Sequence, residues 1–215
     1  MIRGIERRKI SGTVMPIIRL LFILGLLGLC SCSRAPSLPP LSPDAVVLAF
    51  GDSITFGAGA LPGESYPAVL EGLIGRRVVN AGVPGETTAE GRARLVALLD
   101  EQSPALLLLC LGGNDFLQHR DESQTDENLR AMVGLARERG VPVVLIAVPR
   151  FGFGLQIPKL YGKIARDTGI PLEQEALQKI LSAGSLKSDP IHPNAAGYRI
   201  LAESVARLLG AAGAL

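Results

Sequence analysis

Apolar and polar positions along this chain fall into short runs punctuated by glycine and proline. Ala45-Val46-Val47-Leu48-Ala49-Phe50 is a compact apolar run ended by Gly51, the pattern of a buried strand running into a turn. Ser65 to Ile74 predicts a helix, with Pro67 tolerable in its first turn and Gly75 placed to end it. Arg77 to Asn80 predicts a short second strand. A helix over 87–101 follows, its apolar stripe carried by Leu95, Leu98 and Leu99. Ala105 to Leu111 is almost continuously apolar, as expected of a parallel strand covered on both faces. A helix over 125–139 and a strand from Val141 to Val148 come next. Beyond Pro149 the pattern changes to an apolar, glycine-rich loop, Phe151 to Pro158. It is either a connection packed on the core or one wall of a hydrophobic cleft. A helix over 159–168, a strand near 169–172, a helix near 173–183 and an amphipathic helix from Pro193 to about Leu209 complete the chain. Strands alternating with helices predict an α/β fold with a mainly parallel sheet.

At 215 residues the chain can bury one substantial core, and with aromatics at only 4% that core is mostly Leu, Val, Ile and Ala. The formal net charge of +2 misleads. Five of the 22 basic groups (Arg3, Arg7, Arg8, Lys9, Arg19) and one acid (Glu6) lie within residues 1–32, which leaves the remainder at −2. That balance excludes an electrostatic footprint for nucleic acid. Residues 1–32 have the layout of a targeting segment: a basic start, then the apolar run Leu20 to Leu29, too short to span a bilayer core. Arg7-Arg8 allows a twin-arginine signal or a generic basic region. Leu29-Cys30-Ser31-Cys32 resembles a bacterial lipobox with Cys32 as the lipidated residue. Cys30 is the poorer candidate because bulky Leu29 would precede the cut. An ordinary cleaved signal or a retained N-terminal anchor are the other readings. In each of them the protein is exported to the cell envelope, and lipidation would attach it to a membrane. Residues 33–43, with four prolines, form a linker, and residues 44–215 form the folded domain.

With Cys32 processed, only Cys110 remains, inside an apolar run where nothing lowers its pKa; it belongs to the core. No cysteine or histidine cluster has metal-ligand spacing. The chemistry lies elsewhere. Ser53 follows the first strand, where open parallel sheets place their ligands, although a Gly-Asp-Ser turn alone is commonly no more than a turn. The chain has two histidines. His119 sits in a polar stretch that predicts a solvated loop. His192 follows Asp189 by three residues at a helix start. A carboxylate so placed can accept the imidazole N–H, fix its tautomer and stabilise its cation.

Four separated blocks in order, Gly51-Asp52-Ser53, Asn80 to Thr87, Gly112-Gly113-Asn114-Asp115 and Asp189 to His192, resemble the SGNH-hydrolase family of GDSL-type lipases and esterases over residues 45–209. The layout is most similar to small bacterial arylesterases and the multifunctional thioesterase–lysophospholipase type. The resemblance implies Ser53 as nucleophile, His192 as base, Asp189 as its orienting acid, and Gly85 and Asn114 with the Ser53 N–H as oxyanion donors. It implies a flavodoxin-like three-layer α/β/α fold with five strands in order 2-1-3-4-5, no cofactor, and a small acyl-ester substrate cleaved through an acyl-enzyme. Asp52 and Asp115 are expected to be acceptors that order their loops. The serine is not on an α/β-hydrolase elbow, because glycines do not flank it in Gly-x-Ser-x-Gly spacing and its acid and base share one loop. Two rivals are a carbohydrate or cell-wall O-acetylesterase and a non-catalytic envelope binding lipoprotein. Low aromatic content argues against the first and the four intact blocks against the second.

Overall fold

The computed structural model describes Met1, residues 36–152 and residues 154–215. Cys30, Cys32 and, apart from Met1, all of the stretch expected to be a targeting segment lie outside the described residues. The elements are β1 (Val46–Gly51), α1 (Ser53–Phe56), α2 (Tyr66–Ile74), β2 (Arg77–Gly82), α3 (Thr88–Gln102), β3 (Leu106–Cys110), α4 (Gly113–Leu117) and α5 (Glu122–Glu138). They continue with β4 (Val143–Ile146), β5 (Arg150–Gly152), β6 (Gly154–Gln156), α6 (Lys159–Thr168), β7 (Leu172–Glu173), α7 (Ala176–Ser182) and α8 (Ala195–Ala211).

Five strands form one parallel sheet in the order β2-β1-β3-β4-β7, with β1 paired to β2 on one side and β3 on the other. This is the expected 2-1-3-4-5 order, with the antiparallel pair β5–β6 inserted between the fourth and fifth strands. Every residue of β3 and β4 is buried, which is why both are nearly pure Leu and Val. The step from β1 to β2 and the step from β2 back past β1 to β3 run in opposite directions. Right-handed crossovers then put the intervening helices on opposite faces. On one face α2 packs on α8; on the other α3 packs on α5 and α5 on α6. The order reverses at β1 and β3, and a crevice opens between the loops that leave their carboxyl ends. Among the described residues no helix is long and apolar enough to cross a membrane.

The structure departs from the expected elements at several places. Ser53 is not on an open turn; it is the first residue of the single-turn helix α1, closed by Gly57 in the left-handed conformation at φ 101°. The loop at 151–158 contains the hairpin β5–β6, with Phe151 opposite Leu155. Its strands are too short for sequence periodicity to reveal. The last helix starts at Ala195, because Asn194 caps it by accepting the Gly197 N–H at 3.1 Å. Within the stretch expected to be an extended linker, Leu38 and Leu41 are buried, and their N–H groups donate to the carbonyls of Ala212 and Ala214, at 2.8 Å each. That segment is extended but docked. His119 is exposed as expected, at φ 54° in the loop after α4. Cys110 is fully buried, and burial pushes its thiol pKa up.

Asp52 caps α1, its Oδ1 accepting the Ile54 N–H at 2.9 Å. The side chain is 1% exposed. Burial pushes its carboxyl up to about 7 against the pull of the Ile54 N–H and His192, and the charges of Glu86 and Asp115 add to the rise.

Two predictions follow from these contacts. Leu41→Ala should lower unfolding free energy by about 2–4 kcal/mol through the vacated site; an unchanged Tm in a thermal melt would show that the stretch is not held. The second concerns Asp52. A carboxyl raised in the folded state keeps its proton where the unfolded chain has released it. Its contribution is therefore complete below the ordinary carboxylate range and is lost as pH climbs through about 7. Asp52→Asn keeps the cap and removes this dependence. Urea titrations between about pH 5 and pH 8 should show the variant gaining on wild type as pH rises, and parallel curves would refute the shift.

Candidate active site

The loops leaving β1, β2 and β3 and the loop ahead of α8 converge at the carboxyl edge of the sheet. After β1 the chain must turn at once into α1, and only glycine fits at the corner. A Cβ on Gly51 would lie 2.2 Å from Thr55 Oγ1 and 2.3 Å from the Cys110 carbonyl. Asp52 takes the Ile54 N–H, so the Ser53 N–H, in the first helical position, has no partner within the helix. Ser53 is half-buried at this opening.

After β2, the Glu86 N–H donates to the Val83 carbonyl at 3.2 Å around Pro84 and Gly85, and Gly85 has φ 82°. Proline followed by a positive-φ glycine is the signature of a type II turn, which leaves the glycine N–H facing outward. Among the described residues neither the Ser53 nor the Gly85 N–H meets an acceptor. Gly82 is also needed at this corner, since a Cβ there would stand 2.1 Å from the Phe56 nitrogen.

After β3, Gly112 at φ 119° lies against the Tyr161 hydroxyl, which donates to the Leu111 carbonyl at 2.8 Å. Asn114 follows on α4. Its amide donates to the Glu86 carbonyl at 2.9 Å and lies 3.4 Å from Asp52 Oδ2, which ties the second and third loops to the first. Asp115 turns away and is buried, accepting from the Thr88 N–H at 2.9 Å and the Thr88 hydroxyl at 2.5 Å. Both aspartates thus sit as acceptors that order their loops.

The fourth loop is closed on itself by the Ser188 N–H donating to the His192 carbonyl at 3.0 Å. Inside it Asp189 Oδ1 accepts the N–H groups of Ile191 and His192 at 2.8 and 2.9 Å, which leaves Oδ2 for the imidazole Nδ1 at 2.7 Å. Partial burial alone would raise the Asp189 carboxyl. The hydrogen bonds from the ring and the two amides, with the imidazole charge, hold it below its ordinary value instead. His192 Nε2 then stands 2.9 Å from Ser53 Oγ. An imidazole so held, with Nδ1 bonded to a carboxylate and Nε2 to a hydroxyl, can take the hydroxyl proton as the oxygen attacks. The loop is braced against the first one: Tyr198 donates to the Ala58 carbonyl at 2.7 Å, and Gly59 leaves no room for a Cβ beside Ser188.

Ser53, Asn114 and His192 line a small open cleft. Asp52 and Gly113 also line it, and the rest of the wall is apolar: Ile54, Leu117, Val148, Pro149, Phe151, Leu181 and Ile191. Both expectations for the 151–158 stretch hold in part, since Phe151 faces the cleft while Ile157 packs on the core. Of the five residues expected at the site, Ser53, Asn114 and His192 line the cleft, Asp189 is bonded to His192, and Gly85 lies outside the lining, beside the Glu86 carbonyl that takes the Asn114 amide; His119 does not line the cleft. Sequence reasoning missed Leu117, Leu181 and Ile191, which carry no pattern separating them from core positions. It also missed the pairing of buried Glu86 with half-buried Arg94, eight residues apart and so outside any local helix pairing. Among the described residues no group of three or more His, Cys, Asp or Glu could hold a metal ion.

Comparison with known proteins agrees with this geometry. Residues 49–200 match the GDSL-like Lipase/Acylhydrolase family. The chain is 34% identical over 170 residues to Esterase TesA of Pseudomonas aeruginosa, covering 74% of this chain and 85% of that protein. It is 29% identical over 171 residues to Thioesterase 1/protease 1/lysophospholipase L1 of Escherichia coli K12, covering 76% and 82%. A crystal structure of TesA superposes with a TM-score of 0.69 at 32% identity, over 78% of this chain and 99% of that one. Fold, block order and these matches agree: the chain belongs to the GDSL-type, or SGNH, hydrolase family.

Proposed function

We propose that this protein is an exported serine esterase that cleaves carboxylic esters through an acyl-enzyme. The observation that carries the reading is the unbroken line of hydrogen bonds from Asp189 through His192 to Ser53, ending at an apolar cleft. In the first half-reaction Ser53 Oγ bonds to the ester carbonyl carbon while its proton passes to His192 Nε2. The carbonyl electron pair moves onto oxygen, and this reading assigns the N–H groups of Ser53 and Gly85 and the Asn114 amide as its donors. Collapse expels the alcohol, which leaves with the proton from His192. Water then repeats the sequence on the acyl-enzyme and releases the acid. Asp189, held ionised, keeps the proton of the neutral ring on Nδ1 and stabilises the imidazolium at each step.

The substrate class is an ester with an apolar acyl or aryl group, supported by the cleft lining of Leu117, Phe151, Leu181 and Ile191. Relatives named esterase, arylesterase and thioesterase/lysophospholipase support the extension to thioesters and lysophospholipids. We further assign residues 1–32 as the export signal, with Cys32 as the lipidated residue that attaches the domain to an envelope membrane.

Ser53→Ala should lower kcat on p-nitrophenyl acyl esters by at least about 10³-fold, and more than a few per cent of residual activity would overturn the assignment. Cys32→Ser, expressed as the full chain, should move the protein from the membrane fraction to the soluble one. Unchanged partitioning would remove the lipid anchor from the reading.

A further inference from the structure

Arg94, on α3, makes contacts that packing alone does not account for. Its Nε and Nη2 meet the two carboxylate oxygens of Glu86 at 2.5 and 2.7 Å. Nη2 also donates to the Ala81 carbonyl at 2.8 Å and lies 3.4 Å from the Gly51 carbonyl. The guanidinium stands 4.1 Å over the centre of the Phe50 ring. Gly51 comes two residues before Ser53, and Ala81 leads into the turn that carries Gly85. Glu86 ends that turn, and its carbonyl receives the Asn114 amide. One cation therefore touches both segments whose N–H groups, at Ser53 and Gly85, meet no acceptor among the described residues, and reaches the Asn114 amide through a single residue.

The turn has little else to hold it. Val83, Pro84 and Gly85 are exposed, and a Cβ built on Gly85 would meet nothing within 4 Å. From beneath, the turn is secured by the Val83 N–H on the Gly51 carbonyl, the Asn114 bond and the Glu86–Arg94 pair. The Glu86 side chain is only 4% exposed. Arg94 is half-buried, and a pair of this kind adds little net stability over apolar residues of the same volume, so net stability is a weak account of the arrangement. Geometry does. A guanidinium fork fixes both carboxylate oxygens in one plane while its remaining donor takes a strand-end carbonyl, a task an ammonium cannot perform.

We propose that Arg94 is a positioning residue for the oxyanion hole: by clamping Glu86 to the ends of β1 and β2 it sets where the Gly85 N–H and the Asn114 amide point. The proposal rests on the esterase reading of Ser53. Donors to a developing oxyanion act only within a narrow range of distance, and a displacement near 1 Å can cost about 10²-fold in rate.

The test compares wild type, Arg94→Met and Arg94→Lys, each below its own Tm, on p-nitrophenyl butyrate, with fluorophosphonate labelling and the NMR signals of the Asn114 side-chain amide. The expected result for Arg94→Met is a fall in kcat of about 10²-fold with KM changed less than about threefold. Labelling should slow in parallel and the Asn114 amide signals should shift. Arg94→Lys, which restores charge without the fork, should recover only part of the loss. Arg94→Met within threefold of wild type in kcat, or a loss that follows the folded fraction while the Asn114 signals stay in place, overturns the proposal. Should Arg94→Met not fold, Arg94→Lys decides it by the same readouts. Failure of Ser53→Ala to abolish hydrolysis would remove the esterase reading instead, and the Asn114 signals would still decide whether Arg94 holds that amide.

Discussion

The carboxyl end of β1 leaves no room for a side chain, and the rest of the site depends on it. Gly51 has Thr55 on one side and the Cys110 carbonyl on the other, each closer than any real Cβ could tolerate. Because the backbone closes there without a side chain, α1 can begin immediately and present Ser53 at the sheet edge. Gly82 repeats the solution on the neighbouring strand, where the backbone of Phe56 occupies the space a Cβ would need. Two glycines thus bring the loops after β1 and β2 close enough for one hydrogen-bond network to span both.

That network is built from buried carboxyl groups. Asp52, Glu86 and Asp115 are almost wholly out of water, and each is bonded to a group that fixes a loop: a helix N–H, the Arg94 fork, the Thr88 hydroxyl and N–H. Leaving such groups unpaired would be costly, so the loops cannot relax independently. Rigidity is what an oxyanion site requires, since its donors must be in place before charge appears. The fourth loop is different. It is more exposed, held mainly by its own short-range bonds, and joined to the others through the contacts of Tyr198, Gly59 and His192 itself. Asp189 and His192 are a local unit, and the rest of the fold has only to deliver that unit to Ser53.

Much of this was legible in the sequence because its causes are local. Continuous apolar runs such as 106–110 identify buried parallel strands, since a strand covered on both faces has no polar positions to alternate with. Pro84-Gly85 specifies its turn, and Asp-x-x-His its carboxylate–imidazole contact, within a few bonds of backbone. The hairpin at 150–156, the docking of Leu38 and Leu41 against the chain's other end, and the pairing of Arg94 with Glu86 were not legible. Each depends on partners too few or too far apart along the chain to leave a period.

By itself, then, the sequence determined the layer architecture, the strand order and the chemical types that gather at the sheet edge, through apolar periodicity and through motifs resembling a known family. Tertiary structure alone decided their distances. Ser53 Oγ and His192 Nε2 are 139 residues apart and 2.9 Å from each other, a separation fixed by parallel strand register and helix packing. It decided the cleft as well. Leu117, Leu181 and Ile191 become a cleft wall only because three separate segments end at the same place, and in the sequence side chains of that kind look no different from core.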